Sequence, residues 1–162
     1  RECKLAEPLL QGVREETIRF PWMGLDCRAT PDVRGTDFIT ELKTAATSDP
    51  ARFQWNALKM HYPAQMRMQN IACKDAMRDH YIVCVESAAP FPVTVFRIEE
   101  RALEVGEKIL MIWAERLKNC ERSQNWPPYV SCIVPLDVPD EEGLEFDDEP
   151  TDAFNADIAS QA

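Results

Sequence analysis

Between Thr36 and Lys43 the chain reads Thr-Asp-Phe-Ile-Thr-Glu-Leu-Lys, and a strand over these residues turns successive side chains to opposite faces. Leu25–Val33 reads as the strand before it, joined through Arg34-Gly35-Thr36, where Gly35 offers the positive φ that a tight hairpin favours. Glu15–Phe20, with Thr17, Ile18 and Phe20, supplies an earlier strand, so three consecutive strands are expected as an antiparallel meander. Pro31 donates no ladder hydrogen bond and fits only at an edge or bulge, and a bulge there would re-aim Asp32.

The spacing then changes to that of helices. Lys4–Gln11 looks like the end of a helix stopped by Gly12. Ser48-Asp49-Pro50 is a helix start, a capping side chain followed by proline at the first helical position, and the helix should run to about Met60. Pro63 forces Tyr62 out of the helical region and opens a second helix with Gln65, Gln69, Ala72 and Ala76 on one side. Asp79–Ser87 is a continuous apolar strand of the kind buried on both faces, and Pro92–Ile98 supplies another. Glu99–Cys120 is a helix whose stripe Leu103, Gly106, Leu110, Trp113, Leu117 is expected to pack into the core. The predicted class is α/β: a mixed central sheet flanked by helices, in the order αβββαβ, plus a strand and a long C-terminal helix.

At 162 residues and 45% apolar content the chain can bury a substantial core, and no apolar run approaches a membrane span. No membrane association or signal peptide is therefore expected. Six cysteines form no CxxC pair, which favours free thiols in a reducing cytoplasm over zinc or iron–sulfur. The net charge of −10 is concentrated at one end: from Asp137 onward there are ten acidic residues and no Lys or Arg, leaving the remainder neutral. Residues 1–136 are therefore expected to form the core and 137–162 an acidic, disordered tail.

Within the first part, Asp32 and the triplet Glu41-Leu42-Lys43 carry the candidate chemistry. Glu41 and Lys43 share a strand face, about 7 Å apart, and the hairpin brings Asp32 close to them. A Pro-Asp on one strand followed by Glu-x-Lys on the next matches the site pattern of PD-(D/E)XK nucleases, in which hydrolysis of a phosphodiester needs a divalent cation and a positioned water. The spacing alone is equally that of a turn Pro-Asp and an exposed strand end. His61 and His80 read as boundary or surface residues, not as metal ligands. Arg52, Lys59, Arg67, Lys74 and Arg78 could form either a phosphate-tracking stripe or a solvated face.

Four ordered segments extend the likeness: Cys27-Arg28-Ala29-Thr30-Pro31-Asp32, Phe38-Ile39-Thr40-Glu41-Leu42-Lys43-Thr44-Ala45, Tyr62-Pro63-Ala64-Gln65 and Trp126-Pro127-Pro128-Tyr129. With these, roughly Glu15 to Tyr129 resembles the phage and prophage exonuclease VIII (RecE C-terminal domain) family, relatives of lambda exonuclease. The resemblance implies a restriction-endonuclease-like core and a Mg²⁺ ion (or Mn²⁺) held by Asp32, Glu41 and the Leu42 carbonyl. It also implies Lys43 as the group that orients or deprotonates the attacking water, and Gln65 as a helper. An upstream glutamate often completes such sites; Glu15 or Glu16 could serve, with Glu16 preferred. The activity implied is exonucleolytic, 5′ to 3′, on double-stranded DNA ends in phage-type recombination. Its setting would be the cytoplasm of a bacterial host or phage-infected cell, with a homo-oligomeric ring and a single-strand annealing protein as partners. Two departures from the family pattern stand out: Thr30 replaces an arginine before Pro-Asp, leaving Arg28 on the strand parity of Asp32, and Gln69 replaces a tyrosine four residues after the helix glutamine. The family's N-terminal portion is expected to be missing, since the chain opens at Arg1 without an initiator Met. An endonuclease of restriction or repair type, and a non-catalytic remnant that binds DNA or a recombination partner, fit the same residues.

Overall fold

Parallel pairing of β5 (Phe38–Ala45) with β6 (Asp79–Glu86), in register from Phe38↔Asp79 to Ala45↔Glu86, organises the fold. A parallel pair needs a crossover, supplied here by α1 (Pro50–Lys59) and α2 (Tyr62–Ala72). The computed structural model describes residues 3–135, in two compact units divided between Asn125 and Trp126. In the first unit a five-stranded mixed sheet runs β1-β4-β5-β6-β7, with β1 (Val13–Arg14), β4 (Val33–Arg34) and β7 (Val93–Arg97) antiparallel to their neighbours. The long α3 (Glu100–Ser123) follows. This is the α/β architecture expected from the sequence. The described part of the second unit, 126–135, contains neither helix nor strand, and the acidic segment from Asp137 lies outside the described residues.

The expected three-strand meander is present only in two pieces that belong to different sheets. Pro31, without an N–H, divides the expected Leu25–Val33 strand into β3 (Leu25–Ala29) and the short β4. β3 pairs with β2 (Ile18–Trp22), as the meander requires, but the two form a separate two-stranded ribbon. The ribbon turns at Met23-Gly24, both at positive φ (50° and 78°), the combination a two-residue type I′ hairpin requires. Glu15, at φ 51°, leaves the extended region, so the expected first strand begins only at Ile18. Gly35 does not have positive φ; a Cβ there would meet the Phe38 ring at 2.2 Å, so a larger residue would require that ring to move. Lys4–Gln11 holds only a 3-10 turn, Glu7–Leu10.

Asp49 caps α1 by accepting from the Arg52 N–H, with Pro50 in the first turn, as the sequence implies. Phe53 of α1 is buried and stacks on Phe96 of β7 at 4.5 Å, against Ile82 and Cys84. Ile39 of β5 and Met66 of α2, both fully buried, meet Leu103 of α3 and Met77. Each such side chain stabilises the fold by about 1.5–3 kcal/mol through burial. α2 is shorter than expected: it stops at Ala72, so Ala76 lies beyond it. On α3, Leu103, Gly106 and Leu110 are buried as expected, but Trp113 and Leu117 are exposed and Ala114 takes the fourth core position. Trp113 instead meets the edge of His61 at 5.0 Å. All six cysteines are free, and only Cys84 is buried; burial raises the pKa of its thiol.

Two features of this packing are testable. A Cβ on Gly106 would lie 2.5 Å from the Pro63 carbonyl oxygen and 2.8 Å from the Ala64 nitrogen, all backbone, so α2 and α3 touch only because this residue is glycine. Gly106→Ala should cost roughly 1–3 kcal/mol in urea unfolding despite alanine's better helix propensity. His80, expected at a boundary or the surface, is 2% exposed, and neither ring nitrogen has a partner among the described residues. Burial lowers its pKa, the nearby Asp79 acts in the opposite sense, and Arg67 adds to the lowering. The folded state thus keeps His80 neutral while the unfolded chain takes up a proton below about pH 6.5. Stability should fall as pH drops below that value, and His80→Leu should lack that component of the slope in unfolding curves taken from pH 7.5 to 5.

Candidate active site

The site forms where β4 ends alongside β5. The ladder pairs Arg34↔Ile39 and Val33↔Thr40, so the next positions along the same register set Asp32 against Glu41 and Pro31 against Leu42. Pro31, fully buried, ends the ladder there, and side chains replace the missing bonds. The Leu42 N–H donates to Asp32 Oδ2 at 2.7 Å, and the Asp32 N–H donates to Glu41 Oε1 at 3.3 Å. A strand residue's N–H and C=O point to the same side, so the Leu42 carbonyl faces the edge where proline has no N–H to offer.

Glu41 is 2% exposed, and its burial is matched by an unusual number of donors. Oε2 accepts from Lys43 Nζ at 2.8 Å and from Gln65 Nε2 at 2.6 Å. Oε1 accepts from Gln69 Nε2 at 2.6 Å, besides the Asp32 N–H. A carboxylate in such a place stays charged only if its lone pairs are met by donors and a nearby cation. Lys43 supplies the cation because strand alternation turns it to the same side as Glu41. It also donates to Gln65 Oε1 at 3.1 Å and lies 5.0 Å from the centre of the Tyr62 ring. Of its three protons, one has no protein acceptor among the described residues.

The structure therefore brings together Asp32, Glu41, Leu42, Lys43 and Gln65. Glu16 is not among them: its carboxylate pairs with Arg34, whose register partner is Ile39. Of the basic residues Arg52, Lys59, Arg67, Lys74 and Arg78, Arg67 is engaged by Glu107 at 3.0 Å and Asp75 at 2.5 Å. Sequence reasoning missed the part played by Gln69, one helical turn beyond Gln65 and 2% exposed. The signal was present, since i and i+4 share a helix face, but nothing local showed that this face points at Glu41.

No group of three His, Cys, Asp or Glu side chains converges among the described residues. What the site offers a cation is a pair of carboxylates and a main-chain carbonyl, all hard oxygens, with Asp32 Oδ1 free of protein donors among the described residues. This donor set suits Mg²⁺, which keeps several waters and takes few protein ligands. Both Glu41 oxygens already carry hydrogen bonds, so coordination there requires one donor to give way.

No family model matches the chain, and no curated protein matches it. Among solved structures, one from Eubacterium rectale named "Putative exonuclease" superposes with a TM-score of 0.63 at 9% identity, covering 84% of this chain. The chain spans 58% of that protein's length. A likeness of this kind shows the fold. A second solved structure, that of SSO0001, gives a TM-score of 0.39 at 12% identity over 67% of this chain and 54% of its own, too little to carry an argument.

The donor count around Glu41 makes a direct prediction. Gln69→Ala leaves Oε1 with only the long bond from the Asp32 N–H and should destabilise the fold by roughly 1.5–3 kcal/mol. Gln69→Glu, which sets a second carboxylate against a buried one, should cost more. Urea unfolding of the two variants checks both the size and the order.

Proposed function

We propose that this chain is a metal-dependent DNA nuclease with Asp32, Glu41 and Lys43 at its centre and Gln65 as a supporting residue. The observation that carries this reading is the convergence of two carboxylates and an ammonium where the β4–β5 ladder stops: the Leu42 N–H on Asp32 at 2.7 Å and Lys43 on Glu41 at 2.8 Å. Mg²⁺, or Mn²⁺, held by Asp32, Glu41 and the Leu42 carbonyl, would polarise a phosphoryl oxygen and lower the pKa of a bound water. Lys43 would supply positive charge and its uncommitted proton where negative charge develops as a phosphodiester is attacked. Gln65 bonds both Lys43 and Glu41, so that the ammonium does not swing into solvent. Buried Glu41 excludes water from one side of the centre and leaves Asp32, half-buried, as the side open to substrate.

The finer reading rests on the resemblance of the four motifs to the exonuclease VIII family. It makes the substrate a double-stranded DNA end degraded 5′ to 3′ in phage-type recombination, by a homo-oligomeric ring working with a single-strand annealing protein. The fold shared with the Eubacterium rectale protein is compatible with it.

Release of nucleotides from linear duplex DNA, with and without Mg²⁺, tests the core proposal. Wild type should release them only with the metal, and Asp32→Ala should be slower by on the order of 100-fold or more. Equal rates in the two proteins would remove the mechanism. A covalently closed circle should survive the exonuclease proposed here, and its cleavage would turn the reading to an endonuclease.

A further inference from the structure

The β2–β3 ribbon carries charges arranged against themselves. Its register sets Arg19 directly opposite Arg28, with Pro21 opposite Asp26 on the same face. One step further along the ladder, Thr17 and Thr30 continue that face, their hydroxyl oxygens 2.9 Å apart. All six of these residues are exposed. The opposite face is half-buried or buried through Ile18, Phe20, Trp22, Leu25, Cys27 and Ala29, and the ribbon packs on α2. Alternation therefore fixes both guanidiniums outward.

Directly opposed like charges on a ribbon repel, and sequences without a use for them place opposite charges or polar pairs there. Among the described residues, neither Arg19 nor Arg28 makes an ion pair, unlike Arg34, Arg67 and Arg97. The face's own carboxylate, Asp26, stands diagonally across from Arg19 and two residues before Arg28, within ion-pair distance of neither. The arrangement is one that an anion lying over both guanidiniums would relieve. The hydroxyl pair then leads on: Thr30 is two residues before Asp32, and the chain from Arg28 to Asp32 spans at most about 14 Å. A single phosphate cannot reach from one end to the other, whereas a polyanionic strand can.

We propose that the outward face of β2–β3 is a track for the phosphate backbone of DNA, with Arg19 and Arg28 gripping phosphates, the Thr17–Thr30 hydroxyl pair donating its one uncommitted hydrogen to the next, and the strand delivered to Asp32. This rests on the nuclease reading of that centre. Guanidiniums fork phosphate oxygens and hydroxyls supplement them, the mixture that positions nucleic acid without reading sequence.

The test is fluorescence anisotropy of a short labelled DNA duplex in chelator, so that no cleavage intervenes, over a series of salt concentrations. Proteins compared are the wild type, the double variant Arg19→Gln/Arg28→Gln and the charge-preserving Arg19→Lys/Arg28→Lys. The glutamine variant should bind about 10-fold more weakly near physiological salt and lower the slope of log affinity against log salt by about 2, while the lysine variant keeps the slope. Its thermal midpoint should equal or exceed that of the wild type, because a repulsion has been removed. An unchanged slope in the glutamine variant, loss of slope in the lysine variant, or unfolding of the glutamine variant overturns the proposal. If the slope is unchanged while the wild type still releases nucleotides with Mg²⁺, the ribbon's role alone fails. A wild type that neither binds nor cleaves takes the nuclease reading down with it.

Discussion

A carboxylate that is almost fully buried must be surrounded by donors or give up its charge, and Glu41 is held by four donors. Lys43 comes from its own strand, Gln65 and Gln69 from successive turns of α2, and the Asp32 N–H from the link between β3 and β4. Removing a donor from such a group costs more than the bond is worth in water, because the desolvation of the charge has already been incurred. Three separate stretches of chain are thereby tied to one side chain, and Asp32, Lys43 and Gln65 inherit their positions from that tie.

The placement of α2 is in turn a matter of close approach. Gly106 lets the backbone of α3 touch Pro63 and Ala64, and Gln65 follows directly. Ile39, Met66 and Leu103 fill the space between sheet and helices alongside this contact. Packing density makes such a contact intolerant of an added methyl group, so a helix residue with no chemistry of its own controls where the amide of Gln65 sits.

The open side of the site is set by a missing hydrogen bond. Proline cannot continue the β4–β5 ladder, and the Asp32 carboxylate takes the Leu42 N–H that the ladder would otherwise have used. The same break separates β3 from β4, so the β2–β3 ribbon, with its Arg19–Arg28 face outward, is a sheet of its own. One residue's lack of an N–H thus bears on both the Asp32–Glu41–Lys43 cluster and the ribbon that precedes it in the chain.

What the residues determine locally was legible without coordinates. Period-two alternation sets Glu41 and Lys43 on one face, the Asp49-Pro50 start fixes α1, and apolar runs mark β6 and β7. These follow from dihedral preferences and capping, which act over a few residues. Tertiary packing alone decided that Glu41 is buried, that Gln69 reaches it from 28 positions away, that Glu16 turns to Arg34, and that Trp113 and Leu117 stay in water while Ala114 packs inward. A helix has one face chosen by spacing, but which of two adjacent stripes meets the sheet depends on how closely the backbones approach, and that distance is a property of the assembled pair. The strand split at Pro31 lies between the two cases: the missing donor and the pairing of β3 with the strand before it are legible in the sequence, while the separation of that ribbon from the main sheet is not.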